Sequence, residues 1–223
     1  MTINRFISDL AAYQGVSTFN PYSDQCDTFD RYDAAKIRRS NLRNMIIAAL
    51  DGKATTLWVA RDLGYRGGRR TGLALTDEAH LSHASDLLGG ASFRKATKGP
   101  TMAERTATVM WNTLIRIEEP VMLWNVFPFH PHTPDEPMSN RSHTSRERDE
   151  ARPFLDALIQ LLSPNKIIAV GRDAERAVED LTVPVERVRH PSYGGQSEFV
   201  SQVEALYNLM PSQPLVTGSL RLQ

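Results

Sequence analysis

The stretch that decides the fold spans residues 57–72 and reads Leu-Trp-Val-Ala-Arg-Asp-Leu-Gly-Tyr-Arg-Gly-Gly-Arg-Arg-Thr-Gly. Its apolar first part has the length and composition of a buried strand, which stops at the charged pair Arg61-Asp62. A glycine-rich loop with three arginines follows, and a helix start is predicted near residue 76. Such a strand would deliver the Asp62 carboxylate to the edge of a sheet, beside a loop that a phosphate backbone can approach closely.

Three further apolar runs resemble this one, and stretches with helical spacing separate the four. The strands are predicted at residues 56–60, 121–126, 166–170 and 185–189. The helices are predicted around residues 34–50, 76–88, 103–117, 146–162 and 196–210. Strands that alternate with helices predict an α/β fold, a three-layer α/β/α sandwich with a central four-stranded, mostly parallel sheet.

Length and composition narrow the class of protein. A chain of 223 residues suits a single domain, so we predict one domain over residues 1–223. Lys plus Arg equals Asp plus Glu at 26 each, which argues against binding to nucleic acid through a global basic field. The single cysteine, Cys26, excludes an internal disulfide and a cysteine-rich metal site. With neither a signal peptide nor a membrane span in the sequence, we expect a cytoplasmic protein that does not bind membranes.

Ligands of open parallel sheets bind beyond the carboxyl ends of the strands, so the residues that follow each strand are the candidates for a site. Asp62, Asn125 and His190 each follow a predicted strand and should meet at one edge. A carboxylate can orient water or stabilise a cation, and an amide can read the edge of a flat heterocycle. An imidazole can donate a hydrogen bond to an oxygen that gains negative charge. Together these groups suit removal of a base from a deoxyribose, with the base flipped out of the stack.

Four motifs then occur in order after the expected strands. They read Gly-Tyr-Arg-Gly-x-Arg-x-Thr-Gly at 64–72, Asn-x-Phe-Pro-x-His-Pro-His at 125–132, Ser-Asn-Arg at 139–141 and Arg-His-Pro-Ser-x-Gly-Gly at 189–195. With these motifs the chain resembles bacterial members of the uracil-DNA glycosylase superfamily, over about residues 20–209. The resemblance implies a uracil-DNA glycosylase-like sandwich that acts on duplex or single-stranded DNA, as a monomer and without a cofactor.

The resemblance also implies roles for individual residues. Asp62 falls where the water-activating residue lies, Asn125 where the pyrimidine is read, and His190 where the oxygen of the base is bound. Contacts with the DNA backbone, or with the gap that the flipped base leaves, are implied for eight further residues. These are Tyr65, Arg66, Arg69, Arg70, Ser192, Tyr193, Gly194 and Gln196.

The chain departs from the family at three places. Residues 60–63 read Ala-Arg-Asp-Leu, without the usual first glycine and fourth proline, and the nearest relatives typically carry Gly-Glu-Ala-Pro there. Leu75 replaces the aromatic residue that stacks on the base, and Gly64 stands where some members place a tyrosine that blocks groups at C5. A roomier base pocket follows, and we predict a base larger than uracil, such as a C5-modified pyrimidine.

The leading prediction is a monofunctional DNA glycosylase, since no lysine that could form a Schiff base closely follows the motif strands. Three alternatives stay open: a glycosylase that attacks hypermodified phage DNA in defence, a non-catalytic DNA-binding or sensing module, and a hydrolase of free nucleotides. His130, His132 and His143, with Asp135 and Glu136, could suggest a metal site. Loop histidines beside prolines more often form hydrogen bonds, so we predict no metal.

Overall fold

A computed structural model describes residues 1–212 of the chain. At its centre is a four-stranded sheet in the order β3-β2-β5-β6, and all neighbouring strands are parallel. The strands are β1 (Thr18–Phe19), β2 (Thr56–Asp62), β3 (Val121–Phe127), β4 (His130–Pro131), β5 (Lys166–Val170) and β6 (Val185–Val188). The helices are α1 (Ile3–Ala12), α2 (Ala34–Asp51), α3 (Gly68–Thr71), α4 (Leu81–Leu87), α5 (Arg105–Leu114), α6 (Ser145–Leu162), α7 (Arg172–Val178) and α8 (Gln196–Leu206).

The two central strands are buried because both of their faces are covered by helices. Trp58 and Ala60 of β2 pack in one core with residues of α5 and α8, while Leu57 and Val59 pack in the other with residues of α2 and α6. Burial of each large apolar side chain of this kind stabilises the fold by roughly 1.5–3 kcal/mol. The predicted α/β/α sandwich with a four-stranded parallel sheet is thereby confirmed.

The element boundaries differ from the predicted ones mainly at the strand ends and in short helices. β2 continues two residues beyond the predicted 56–60, because Asp62 still pairs in register with Phe127 of β3. The predicted helix 76–88 is a 3-10 helix (Glu78–His80) followed by α4. The sequence analysis did not predict α1, or the single turn α3 within the glycine-rich loop.

The predicted single domain over 1–223 includes residues 213–223, which lie outside the described residues, and it stays a prediction. Within residues 1–212, no helix combines the length and the apolar character that a membrane crossing requires.

Candidate active site

A cleft of about 670 Å³ opens at the carboxyl end of the sheet. The end of β2, the glycine-rich loop, and the segments that follow β5 and β6 form its walls. Its size falls within the ~300–1,000 Å³ that small-molecule sites usually have. Of the three residues predicted to meet at this edge, Asp62 and His190 line the cleft directly. Asn125 lies on the neighbouring strand, in register with Ala60, which lines the cleft.

Both carboxylate oxygens of Asp62 are engaged by neighbouring side chains. Oδ1 is hydrogen-bonded to His143 Nδ1, and Oδ2 accepts a hydrogen bond of 2.6 Å from Arg61 Nε. The Asp62 and His143 side chains are only 7% and 8% exposed. Because Nδ1 of His143 points at the carboxylate, the Nε2 atom is left as the basic nitrogen of that ring. Asp62 and His143 therefore form a buried acid–imidazole pair at the end of β2.

His190 is held as a neutral imidazole with a defined tautomer. Its Nδ1 atom lies 3.2 Å from the backbone N–H of Ser192 and 2.7 Å from the Ser192 hydroxyl oxygen. An Nδ1 atom that accepts from a backbone N–H leaves the ring proton on Nε2. Burial, with added repulsion from Arg61 and Arg189, lowers the pKa of His190 to about 4. Ser192, predicted to contact phosphate, in the structure contacts the ring of His190.

A glycine makes room for this histidine. Gly171 follows β5 with a φ of +88°, and a Cβ at this position would lie 3.2 Å from the Cβ of His190. A side chain at 171 would be strained by that φ as well as crowded by the imidazole. The turn after β5 thus lets the segment after β6 approach the centre of the cleft.

Asn125 is buried in β3 and only 1% exposed, yet its amide has no hydrogen-bond partner within the described residues 1–212. Neither Nδ2 nor Oδ1 makes a hydrogen bond within residues 1–212. Most buried polar groups in proteins are hydrogen-bonded, so an amide with both functions free calls for an explanation. The strand places this amide on the same side of the sheet as Ala60, because the two residues pair in register.

The glycine-rich loop directs its three arginines in different directions. Arg69 is buried, stacks on the ring of Phe19 and donates to the carbonyl of Pro137. Arg70 is also buried and forms an ion pair of 3.6 Å with Glu78. Both arginines were predicted to contact DNA. In this structure their side chains are buried and contact other residues of the protein. Arg66 is exposed, and its Nε donates to the Tyr65 hydroxyl.

The predicted gap-filling loop projects from the protein. Tyr193 is 97% exposed with a φ of +50°, and Gly194 follows with a φ of +78°. Gln196 is exposed at the first position of α8.

Leu75, which lines the cleft, has an unusual backbone conformation. It is partly buried with a φ of +56°, which is rare for a branched residue. Such conformations persist where the surroundings hold them, and they cluster at functional sites.

The Ser-Asn-Arg motif connects the glycine-rich loop to α6. Asn140 Oδ1 accepts the backbone N–H of Tyr65 at 3.0 Å. Arg141 donates to both carboxylate oxygens of Glu147, at 2.8 and 2.6 Å. Glu147 also forms a capping box with Thr144 at the start of α6. The motif thereby fixes the segment that contains His143.

Sequence reasoning missed a carboxyl group in the cleft. Glu104, which immediately precedes α5, lies against Gly64, where a Cβ would be 2.9 Å from its Oε1 atom. Burial and the charge of Asp77 raise the pKa of Glu104 to about 7, while Arg66 opposes the shift. Nothing in the sequence around Glu104 indicates a site, since a glutamate before a helix usually serves as a helix-terminal residue.

Sequence reasoning also missed most of the positive charge around the cleft. Five arginines line it, contributed by segments far apart in the chain: Arg61, Arg141, Arg172, Arg187 and Arg189. Four of them have carboxylate partners. Arg172 is exposed, and its side chain makes no ion pair or hydrogen bond within residues 1–212. Among the arginines of the cleft, Arg172 is therefore the one without an acidic partner in the described part of the chain.

Two of the three loop histidines, His130 and His132, make their hydrogen bonds within the loop and with Arg69. His130 is buried between Arg69 and the carbonyl of Ser139, and burial with the charge of Arg69 lowers its pKa to about 3. His132 Nδ1 lies 2.8 Å from the carbonyl of Thr133. No group of three metal-ligating side chains occurs in the part of the chain that the structure describes.

The comparisons with known proteins fit this architecture. The model of the uracil DNA glycosylase superfamily matches residues 61–212, and the chain therefore belongs to the uracil-DNA glycosylase superfamily, whose members are DNA glycosylases. Among solved structures, the fold is similar to that in the crystal structure of wild-type SMUG2 from Pedobacter heparinus. The TM-score is 0.58 at 11% sequence identity, over 92% of this chain and 98% of that chain. At this identity the likeness shows the fold. No curated protein matches the chain.

Proposed function

We propose that this protein is a monofunctional DNA glycosylase that hydrolyses the N-glycosidic bond of a base rotated out of the DNA stack. The observation that carries the proposal is the buried amide of Asn125, whose donor and acceptor atoms are both free within residues 1–212. A buried polar group without a partner costs roughly 1–3 kcal/mol. The edge of a pyrimidine, with one acceptor and one donor, would satisfy both functions of the amide when the base enters.

His190 would stabilise the base as it leaves. When the bond between C1′ and the base nitrogen breaks, the electron pair passes to the base and is delocalised onto one of its carbonyl oxygens. The Nε2–H group of a neutral imidazole can donate to that oxygen without losing its proton. The hydrogen bonds from Ser192 to Nδ1 support this tautomer, since they keep the proton on Nε2.

Asp62 and His143 would handle the attacking water. A water on Nε2 of His143 could lose its proton to the imidazole as it attacks C1′, while the carboxylate of Asp62 stabilises the resulting imidazolium. The negative charge of Asp62 would also favour the oxocarbenium-like sugar. The products are the free base and an abasic site. Among the residues that line the cleft within 1–212 there is no lysine, which supports hydrolysis without a Schiff base.

The exposed groups around the cleft would hold the DNA. Arg66 and Arg172 are the exposed cations that we assign to phosphate contacts, and the projecting Tyr193 and Gln196 would fill the gap left by the base. Contact through these groups is compatible with duplex and with single-stranded DNA, and we expect the protein to act as a monomer. The leucine at position 75, which lines the cleft where relatives place a ring, supports a base larger than uracil. The space beside Gly64, predicted to be open, is instead occupied by the carboxyl group of Glu104.

A base-excision assay tests the proposal. Oligonucleotides with uracil, hypoxanthine, xanthine, 5-hydroxymethyluracil or a bulkier modified cytosine are incubated with the protein and then treated with alkali. Strand scission after alkali, and none before it, is the expected result for at least one base. Binding without scission would instead support the non-catalytic module, and hydrolysis of free nucleotides alone would support the nucleotide hydrolase.

The substrate range also bears on the biological role. A defence enzyme against phage DNA would remove hypermodified cytosines and leave uracil untouched, whereas a repair enzyme would remove deaminated or oxidised bases. The cytoplasmic location expected from the sequence suits either role and stays a prediction.

A further inference from the structure

One carboxyl group in the cleft has no part in the chemistry proposed above. Glu104 lies directly before α5, but its side chain does not cap that helix. The carboxyl group rests against the backbone of the glycine-rich loop instead: a Cβ added at Gly64 would be 2.9 Å from Oε1, and one added at Gly67 would lie closer still to Oε2. The carboxyl group therefore occupies the space that a side chain at position 64 would fill.

Among residues 1–212, this carboxyl group also has no hydrogen-bond partner. The backbone N–H of Glu104 donates to Asp77 at 2.5 Å and its carbonyl accepts from Thr108, but within residues 1–212 no hydrogen bond reaches its side-chain oxygens. Burial and the nearby charge of Asp77 raise its pKa to about 7. Arg66, the cation that opposes this shift, donates to the hydroxyl of Tyr65. A partly buried carboxyl group in this state gains most from a ligand that donates a hydrogen bond.

The charged neighbours of the carboxyl group are Asp77 and Arg66. The lining of the cleft also includes small or apolar residues, namely Ala60, Leu63, Gly64, Leu75 and Ala107. An alkyl group that enters here gains apolar contact, but it leaves the oxygens of Glu104 without a donor. A hydroxyl or amino group of the same size gives them one. Sites that hydrogen-bond a substrate hydroxyl discriminate strongly against the analogue that lacks it.

We propose that Glu104 determines specificity by accepting a hydrogen bond from a hydroxyl or amino group on the ring substituent of the extruded pyrimidine, next to Gly64. This inference rests on the proposed glycosylase function and names the substrate class of the same site. The substrates it favours carry a hydroxymethyl group, or a sugar linked through one, in preference to hydrogen or methyl.

The test compares three bases that differ only at C5, namely uracil, thymine and 5-hydroxymethyluracil, in otherwise identical duplexes. Single-turnover excision is measured for the wild type, Glu104→Ala and Glu104→Gln. Glu118→Ala is the matched control, because Glu118 is exposed and precedes β3, at the opposite end of the sheet from the cleft. Thermal unfolding checks that each variant is folded. Parallel duplexes with hydroxymethylcytosine and its glucosylated form separate a free hydroxymethyl group from a sugar as the source of the hydroxyl.

The wild type should excise 5-hydroxymethyluracil at least tenfold faster than thymine. Glu104→Ala should reduce that ratio at least tenfold, Glu104→Gln should reduce it less because an acceptor oxygen remains, and Glu118→Ala should leave it unchanged. Duplexes with 2′-fluoro nucleotides, which resist hydrolysis, should show the same change as a ratio of dissociation constants.

Two outcomes would overturn the inference while the proposed function stands. One is a ratio that Glu104→Ala changes by less than twofold, and the other is an equal loss of rate on all three bases, which would place Glu104 in the chemistry itself. Failure of the wild type to remove any base would overturn the proposed function and this inference together, so the two failures are distinguishable.

Discussion

His143 Nδ1 is hydrogen-bonded to Asp62 Oδ1 at the end of β2, both side chains are buried, and Asp62 lines the cleft. The pair joins a strand residue to a loop residue that lies 81 positions later in the chain. An aspartate that faced the cleft alone would act on water directly. An aspartate paired with an imidazole acts on water through the second ring nitrogen, so the two residues should function as one unit.

Removal of either member should therefore cost most of the activity, and removal of both should cost little more. We expect Asp62→Ala and His143→Ala each to slow single-turnover excision by ~100-fold or more, within the range of general base catalysis. The double variant should fall less than tenfold below the single ones, because residues that act as a unit are not additive. Binding to substrate DNA should be retained.

Asp173→Asn is the matched control for this pair. Asp173 lines the same cleft and contacts Arg61, but it is half exposed and does not touch His143. The excision rate of the Asp173→Asn variant should stay within threefold of the wild-type rate. Near-full activity of Asp62→Ala, or a double variant whose loss equals the product of the single losses, would contradict the paired role.

Asn125 should show opposite effects on stability and activity. Asn125→Leu keeps a similar volume and removes an amide that has no partner, so the free energy of unfolding should stay unchanged or rise by about 1 kcal/mol. Excision should nevertheless fall by more than ~100-fold, since one matched pair of hydrogen bonds to the base is lost. Chemical denaturation and single-turnover kinetics measure the two quantities.

A second buried asparagine provides the control. The amide of Asn41 donates to the carbonyls of Thr71 and Arg94 at 2.9 Å, and its oxygen accepts from the Arg94 backbone. Asn41→Leu should lower the free energy of unfolding by roughly 2 kcal/mol or more, because buried partners are left unpaired. If Asn125→Leu destabilised the protein as much as Asn41→Leu, the amide of Asn125 would be a structural group.

The sheet could be predicted because its strands are apolar on both faces, which leaves a continuous signal in the sequence. The positions of Asp62 and His190 on one cleft followed from the same signal, because parallel strands end at one edge. The partners of these residues could not be predicted. His143 lies in an irregular loop, and no periodicity relates that loop to β2. Glu104 is close to Gly64 only because the chain returns to the cleft at the start of α5.

The sequence likewise shows which residues are charged, but it does not show whether their side chains point inward or to the surface. Arg66, Arg69 and Arg70 occur in one loop of the sequence, so all three were predicted to lie at the surface and to contact phosphate. The turn α3 directs the last two inward, where Arg69 stacks on Phe19, which lies much earlier in the chain, and Arg70 pairs with Glu78 of the following 3-10 helix. Such contacts depend on tertiary structure and have no local signature.

The direction of each arginine predicts how its removal acts. Arg66→Ala and Arg172→Ala should weaken binding to DNA of any sequence and should each reduce the slope of log affinity against log salt by ~0.9. Arg70→Ala should instead lower the free energy of unfolding by roughly 2 kcal/mol, because it removes one of the two cations that pair with the buried Glu78 and leaves only Lys95, at 3.8 Å, among the described residues. Fluorescence anisotropy over a range of salt concentrations, with urea denaturation alongside, separates the two effects. A salt slope that fell for Arg70→Ala in a fully folded protein would place its guanidinium group on DNA.

His190 should remain neutral at every pH at which the enzyme works. Its pKa in the folded protein is about 4, below the ordinary 6.5, because burial and the charges of Arg61 and Arg189 disfavour the cation. Between these two values the unfolded chain binds the proton and the folded chain does not, so His190 lowers the stability of the protein as the pH falls through this window. Nitrogen-15 NMR of the imidazole should therefore show an Nε2–H tautomer with no titration above pH ~5.

A Ser192 variant tests the same tautomer of His190. Ser192→Ala removes the hydroxyl next to Nδ1 but retains the backbone N–H that donates to it. The Nε2–H signal should persist in this variant, and excision should fall only modestly, by about tenfold or less, in line with loss of one neutral hydrogen bond. An imidazole that titrated near pH 6.5 in the wild type would mean that His190 meets the leaving base as a cation. Transition-state stabilisation would then rest on charge, and excision by the wild type would rise as the pH is lowered towards 5.5.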